Sequence, residues 1–173
     1  PVGYDLEKGD WVEPYGKGVN TDLWFEYKGQ HQDPWTASVD LTISVPGAKA
    51  GIQILKKDMV SDFKSVYQAP LDGYKKKIRF YEEQTKEEGF IRRKQLEKDE
   101  YLVFRTRTKV DDQGNLIEAF YGKIYPPLEF GSKGSLELKY YFNPHGTRNL
   151  EFDTDNNLFN FPTGSLNKVG PVP

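Results

Sequence analysis

Cysteine is absent from the 173 residues, methionine occurs once and histidine twice. The first absence removes a disulfide framework, a thiol nucleophile and thiolate metal ligands. A chain of this length can bury a sufficient core without such staples, so compartment is not decided by cysteine usage. The two histidines, His31 and His145, stand in polar, turn-like contexts away from any nucleophile-elbow pattern. A histidine-assisted nucleophilic mechanism therefore has no base in a fitting place. A phosphate-cradling loop is also missing, because Gly16-Lys17-Gly18 is too short for one and reads as a turn. No apolar run approaches the roughly 20 residues that span a bilayer. Nor is there an excess of positive charge: Lys plus Arg is 24 against 26 Asp plus Glu, a net charge of -2. A duplex-binding surface needs such an excess to displace counterions, so nucleic acid is not an expected partner. Lys75-Lys76-Lys77 and Arg92-Arg93-Lys94 have Glu82, Glu83, Glu87 and Glu88 between them, which reads as a solvated face of both signs.

Aromatic residues are plentiful, with eleven Tyr, eleven Phe and three Trp. Flat rings pack well on pleated surfaces, and the hydrophobic pattern agrees. Ala37, Val39, Leu41, Ile43 and Val45 alternate with Ser38, Asp40, Thr42 and Ser44, the period-two signal of a half-buried antiparallel strand. Pro46-Gly47 ends it. Leu23, Phe25 and Tyr27 alternate with Trp24, Glu26 and Lys28 ahead of it, and further strands are predicted over 10–12 and 51–55. The Glu/Lys-rich run from Ile78 to Glu100 has helical propensity, yet Gly89 interrupts it, and a hairpin turning at Lys86 to Gly89 fits better. A second hairpin is predicted from Tyr101 to Tyr125 around Asp111-Asp112-Gln113-Gly114-Asn115. In it Leu102, Phe104 and Val110 share one face, and Pro126-Pro127 ends the return strand. Leu136, Leu138, Tyr140 and Phe142 then point inward, with Glu137 and Lys139 outward. Met59, Phe63 and Val66 are spaced for one short helix before Pro70. Eight or nine strands with regular turns predict an all-β chain folded as an antiparallel β-sandwich, Ig-like or jelly-roll-like, over residues 1–162. Residues 163–173 read as a loosely ordered tail or linker.

The candidate ligand-binding residues are aromatic. Trp11, Trp24 and Trp35 fall in the first quarter of the chain, accompanied by Tyr4, Tyr15 and Tyr27, of which Tyr15 joins the candidates. Exposed rings suit a carbohydrate binder, because sugar rings present C–H faces that stack on π systems. The competing reading places all three tryptophans in the sandwich core, where Trp is usually found. Asp153, Asp155 and Asn157 offer oxygen ligands at alternate positions, the opening of a calcium loop. Leu158 and Gly164 stand where an EF-hand wants Gly and Glu, so a structural calcium would need a looser site, and such Asp/Asn clusters otherwise form turns. No other cofactor is expected. Paired carboxylates for glycoside hydrolysis would come together only in three dimensions.

Tyr121-Gly122-Lys123-Ile124-Tyr125, Tyr140-Tyr141-Phe142-Asn143-Pro144 and Arg148-Asn149-Leu150-Glu151-Phe152-Asp153 resemble phrases of Bacteroidetes-type exported lipoproteins. The likeness covers about the last third of the chain. It implies a β-sandwich displayed at the cell surface or in the periplasm, with a polysaccharide or another surface protein as partner. The chain opens on Pro1-Val2-Gly3, as a trimmed precursor would; a signal peptide and a lipid-bearing Cys are expected upstream. Three functions follow as expectations: a non-enzymatic glycan or surface-component binder, a structural or protein-interaction module, and a carboxylate-based glycoside hydrolase.

Overall fold

The structure, a computed structural model, describes residues 1–33, 35–57, 66–150 and 169–171. Among them every regular element is a strand: β1 (Val2–Asp5), β2 (Asp10–Trp11), β3 (Leu23–Asp33), β4 (Thr36–Ser44), β5 (Gly51–Lys56), β6 (Lys77–Thr85), β7 (Gly89–Lys94), β8 (Glu100–Val110), β9 (Leu116–Phe130), β10 (Leu136–Asn143) and β11 (Val169–Pro171). One sheet has the order β2-β1-β3-β4-β6-β7, all antiparallel. The other runs β5-β8-β9-β10, also antiparallel, with the three-residue β11 laid parallel along β10. The chain is all-β, a sandwich of two sheets. The proposed helix before Pro70 falls mostly on residues 58–65, outside the described residues, as does most of the 163–173 tail.

Alternation builds the core. Val39, Leu41 and Ile43 of β4 meet Leu136, Leu138 and Tyr140 of β10 in one buried cluster with Leu102 and Phe104 of β8 and Ile124 of β9. Burying each such side chain stabilises the fold by about 1.5–3 kcal/mol against leaving it in water. A smaller cluster of Ala69, Tyr101, Val103, Ala119, Tyr121 and Leu150 is built on alternate residues of β8 and β9, so both faces of this sheet are packed. The hairpin at Lys86 to Gly89 forms as read, with Gly89 at φ 68°, and Gly114 closes the β8–β9 turn at φ 81°.

Two details depart from the sequence reading. Pro126-Pro127 does not end β9, which continues to Phe130. Between the pairs Lys139↔Tyr125 and Glu137↔Glu129, β9 carries two more residues than β10, and the prolines sit in that bulge, where a missing N–H costs no ladder bond. Val110 also lies outside the inter-sheet core. A bulge after Thr106, with Arg107 at φ 49°, interrupts the alternation that Leu102 and Phe104 begin.

Candidate binding groove

β1 pairs with β3 only from Leu23 to Phe25, so β3 runs on past the end of β1. Beyond that point the turn between β9 and β10 lies over β3. The Tyr27 hydroxyl donates to the Gly131 carbonyl at 2.8 Å and accepts from the Gly134 amide at 3.0 Å. Between this latch and the β1–β2 hairpin lies a groove of about 490 Å³. Trp11, Tyr15, Phe25 and Tyr27 line it from one side, and Phe130 and Leu136 from the other.

The groove's rings are held by their neighbours. Trp11 stands opposite Tyr4 in the β1–β2 ladder and meets its ring edge-on at 5.1 Å, with Phe25 at 5.6 Å on a similar tilt. Tyr4 in turn touches Tyr140, whose hydroxyl donates to the Leu6 carbonyl at 2.9 Å. Trp11 is thus the outermost ring of a chain of edge-to-face contacts that begins in the core, a favoured aromatic geometry. Tyr15 sits on the following loop, which Asp10 organises: its carboxylate accepts the Trp11 amide at 2.8 Å and the Lys17 amide at 2.8 Å. The Tyr15 ring is 68% exposed. Glu26 is the one charged side chain among the lining residues. Lys28 pairs with it at 2.9 Å and holds its carboxyl below the ordinary range.

Of the four aromatic candidates, the structure brings Trp11 and Tyr15 together and leaves the other two apart. Trp24 is half-buried on the opposite face of β3, between Gly3 and Ser44. Trp35 is 59% exposed in the β3–β4 turn, where Asp33 accepts its amide at 2.8 Å. Tyr27, one of the tyrosines that accompany the tryptophans in sequence, joins the groove together with Phe25 and Phe130, which the sequence does not single out. For Phe25 and Tyr27 the signal was present, since alternation puts both on one face. For Phe130 it was not, because the prolines seemed to end its strand.

A second cluster is the best-buried set of charges. Asp5 and Asp22 are fully buried, and Arg107 bridges them, at 3.2 Å to Asp5 and by two 2.8 Å bonds to Asp22. Glu7 takes the remaining guanidinium nitrogen, and the Phe120 and Phe142 rings lie 5.6 and 5.2 Å from the guanidinium carbon. The Asp5 carboxylate also accepts the Val19 and Asn20 amides, and Asp22 accepts the Leu6 amide and the Thr106 hydroxyl. Burial pushes Asp5 up, but the Asn20, Val19 and Lys8 amides together with Arg107 leave it below its ordinary value. Desolvation wins at Asp22, which stays raised against the pull of Arg107 and the Leu6 amide. A raised carboxyl beside a second one is the signature sought for a hydrolase. Here both carboxylates are bonded to protein groups and turned into the core, an arrangement that clamps the N-terminal hairpin to β8. No group of three or more His, Asp or Glu placed to hold a metal occurs among the described residues. Asp153, Asp155 and Asn157 lie outside them.

No helix of the described residues is long and apolar enough to cross a membrane. Comparison with known proteins returns no match to a family model, to a curated protein or to a solved structure, so the groove itself is the ground for any functional reading.

Proposed function

We propose that the protein is a non-catalytic, exported β-sandwich that binds a glycan in the groove between the β1–β2 hairpin and the β9–β10 turn. The observation that carries this reading is the convergence of Trp11 and Tyr15 with Tyr27 around an open cleft, the Trp11 ring being supported from behind by Tyr4 and Phe25. A ring pre-set as Trp11 is loses little entropy when a sugar stacks on it, and Glu26 with Ser135 supplies polar atoms at the mouth. Export to the cell surface rests on the lipoprotein-like phrases of the last third. Affinity electrophoresis through gels containing neutral polysaccharides tests the binding claim. Retardation by at least one polysaccharide, reduced in Tyr15→Ala, is expected; unretarded migration in every gel contradicts it.

A second reading, a module that joins other proteins edge to edge, is favoured by one observation. β3 from Glu26 to Asp33 has β4 on one side and, among the described residues, no strand on the other. Unpaired strand edges recruit strands from other chains. A stable dimer in sedimentation, lost when His31, whose amide faces that edge, is replaced by proline, would support this alternative.

A further inference from the structure

Val45 donates to the Lys76 carbonyl at 3.1 Å in line with the β4–β6 ladder, so odd-numbered residues of β4 bond to β6 and even-numbered ones to β3. Lys28 and Gln30, which pair with Asp40 and Ser38, therefore bond to β4, and the amides and carbonyls of Tyr27, Gly29 and His31 face the open edge of β3. β1 reaches β3 no further than Phe25, and no backbone bond to those outward groups occurs among the described residues. Edges of this kind are ordinarily guarded by a charge, a proline or a bulge. Here the ladder from Glu26 to His31 has no register shift, the strand holds no proline, and the Lys28 charge is matched by Glu26 at 2.9 Å. Every residue from Glu26 to Asp33 is exposed.

The free window runs from Tyr27 to Asp33, bounded by the end of β1 and by the β3–β4 turn. Two such windows laid antiparallel overlap in full when Gln30 meets Gln30 of a second copy. Gly29 and His31 of one copy then face His31 and Gly29 of the other and exchange backbone bonds. The two Gln30 amides, each donor and acceptor, complement one another, and Lys28 falls opposite Gln32 of the second copy, so no like charges meet. Centring the pair on Gly29 or Lys28 runs the second copy into β1, and the latter also sets two lysines face to face. Centring it on His31 shortens the overlap. The edge is thus complementary to itself in length, hydrogen bonding and charge.

Resting on the reading of the β3 edge as a joining surface, we infer that its partner is a second copy of this chain, paired β3 to β3 about Gln30 into one sheet that continues across the dimer. The chain has no cysteine, so a single introduced thiol reports the register. The two Gln30 positions meet as a non-hydrogen-bonded pair with Cα atoms about 4.5 Å apart, within the roughly 4.4–6.8 Å that disulfides span. The two Lys28 positions stand about 14 Å apart, out of reach. Sedimentation should show a dimer that His31→Pro converts to monomer. Oxidised glutathione should link Gln30→Cys into a covalent dimer and leave Lys28→Cys unlinked. A dimer lost in His31→Pro but linked through Lys28→Cys overturns the inferred pairing and leaves edge joining standing. A dimer that His31→Pro leaves intact and neither cysteine links uses another surface and overturns both. A monomer at every concentration, linked by neither cysteine, overturns the inference and leaves the edge to a strand of a different protein.

Discussion

Asp22 and Arg107, 85 residues apart in sequence, meet as a two-pronged pair, Nε to Oδ1 at 2.8 Å and Nη2 to Oδ2 at 2.8 Å. The pair spans the two sheets, joining the residue before β3 to the bulge of β8. A planar guanidinium matches a carboxylate in this way where an ammonium cannot.

Removing Arg107 would leave Asp5 and Asp22 buried without their cation. Arg107→Ala should therefore cost about 3–5 kcal/mol in urea unfolding, and Arg107→Lys should recover only part of it. Adding Asp22→Asn to Arg107→Ala should return some of the loss, because the uncompensated charge is gone. A loss below about 1 kcal/mol, the scale of an exposed pair, would show that the cluster does not clamp the hairpin.

The two carboxylates should act oppositely in acid. Asp5 is depressed in the folded state, so its contribution is complete above about pH 4 and is lost as pH falls through its folded value. Asp22 is raised, so the folded state takes its proton first, and stability gains as pH falls from that raised value toward about 4. Urea midpoints from pH 3 to 7 should show Asp5→Asn flattening the acid limb below about pH 4, whereas Asp22→Asn removes the gain above it. Identical pH profiles for wild type and both variants would contradict these assignments.

At the alkaline end, burial raises Tyr4 to about 12, opposed by its hydrogen bond with Tyr140, and Tyr140 is raised too. The unfolded chain ionises its tyrosines near pH 10, so stability should be full below that and fall as pH climbs toward 12. Tyrosinate absorbance should show a late-titrating fraction of the eleven tyrosines, smaller in Tyr4→Phe. Complete titration in one step near pH 10 before unfolding would be the opposing result.

Gly122 sits in the middle of β9 where nothing larger fits. A Cβ there would come within 2.2 Å of the Phe104 ring and 2.2 Å of the Tyr141 carbonyl oxygen, which is backbone and cannot swing aside. Gly122→Ala should lower stability by about 1–3 kcal/mol, although the same change usually favours a strand. Gly114→Ala in the β8–β9 turn meets no atom within 4 Å and is opposed only by its φ of 81°, so its cost should be smaller.

Much of the scaffold could be read directly. Ala37 to Val45 and Leu136 to Phe142 alternate cleanly because each strand has one packed face and one wetter one. β1 was missed, since Val2-Gly3-Tyr4 has too little alternation to register, and it is this strand that places Trp11. The parity of Trp24 was legible, but which side of β3 would be lined into a cleft was not. That depends on where the β9–β10 turn folds back onto Tyr27, 104 residues away at Gly131. The Arg107 cluster was invisible for the same reason: its carboxylates are 85 and 102 residues distant, and no local pattern marks a buried ion pair.

Of the three tryptophans, Trp11 is the one that lines the groove. The indole N–H resonances of Trp11, Trp24 and Trp35 can be followed separately in a ¹⁵N-labelled sample titrated with soluble oligosaccharides. A saturable shift of the Trp11 signal is expected, with Trp24 and Trp35 unmoved. A shift confined to Trp24 or Trp35, or a Trp11 signal indifferent to every ligand, would contradict it.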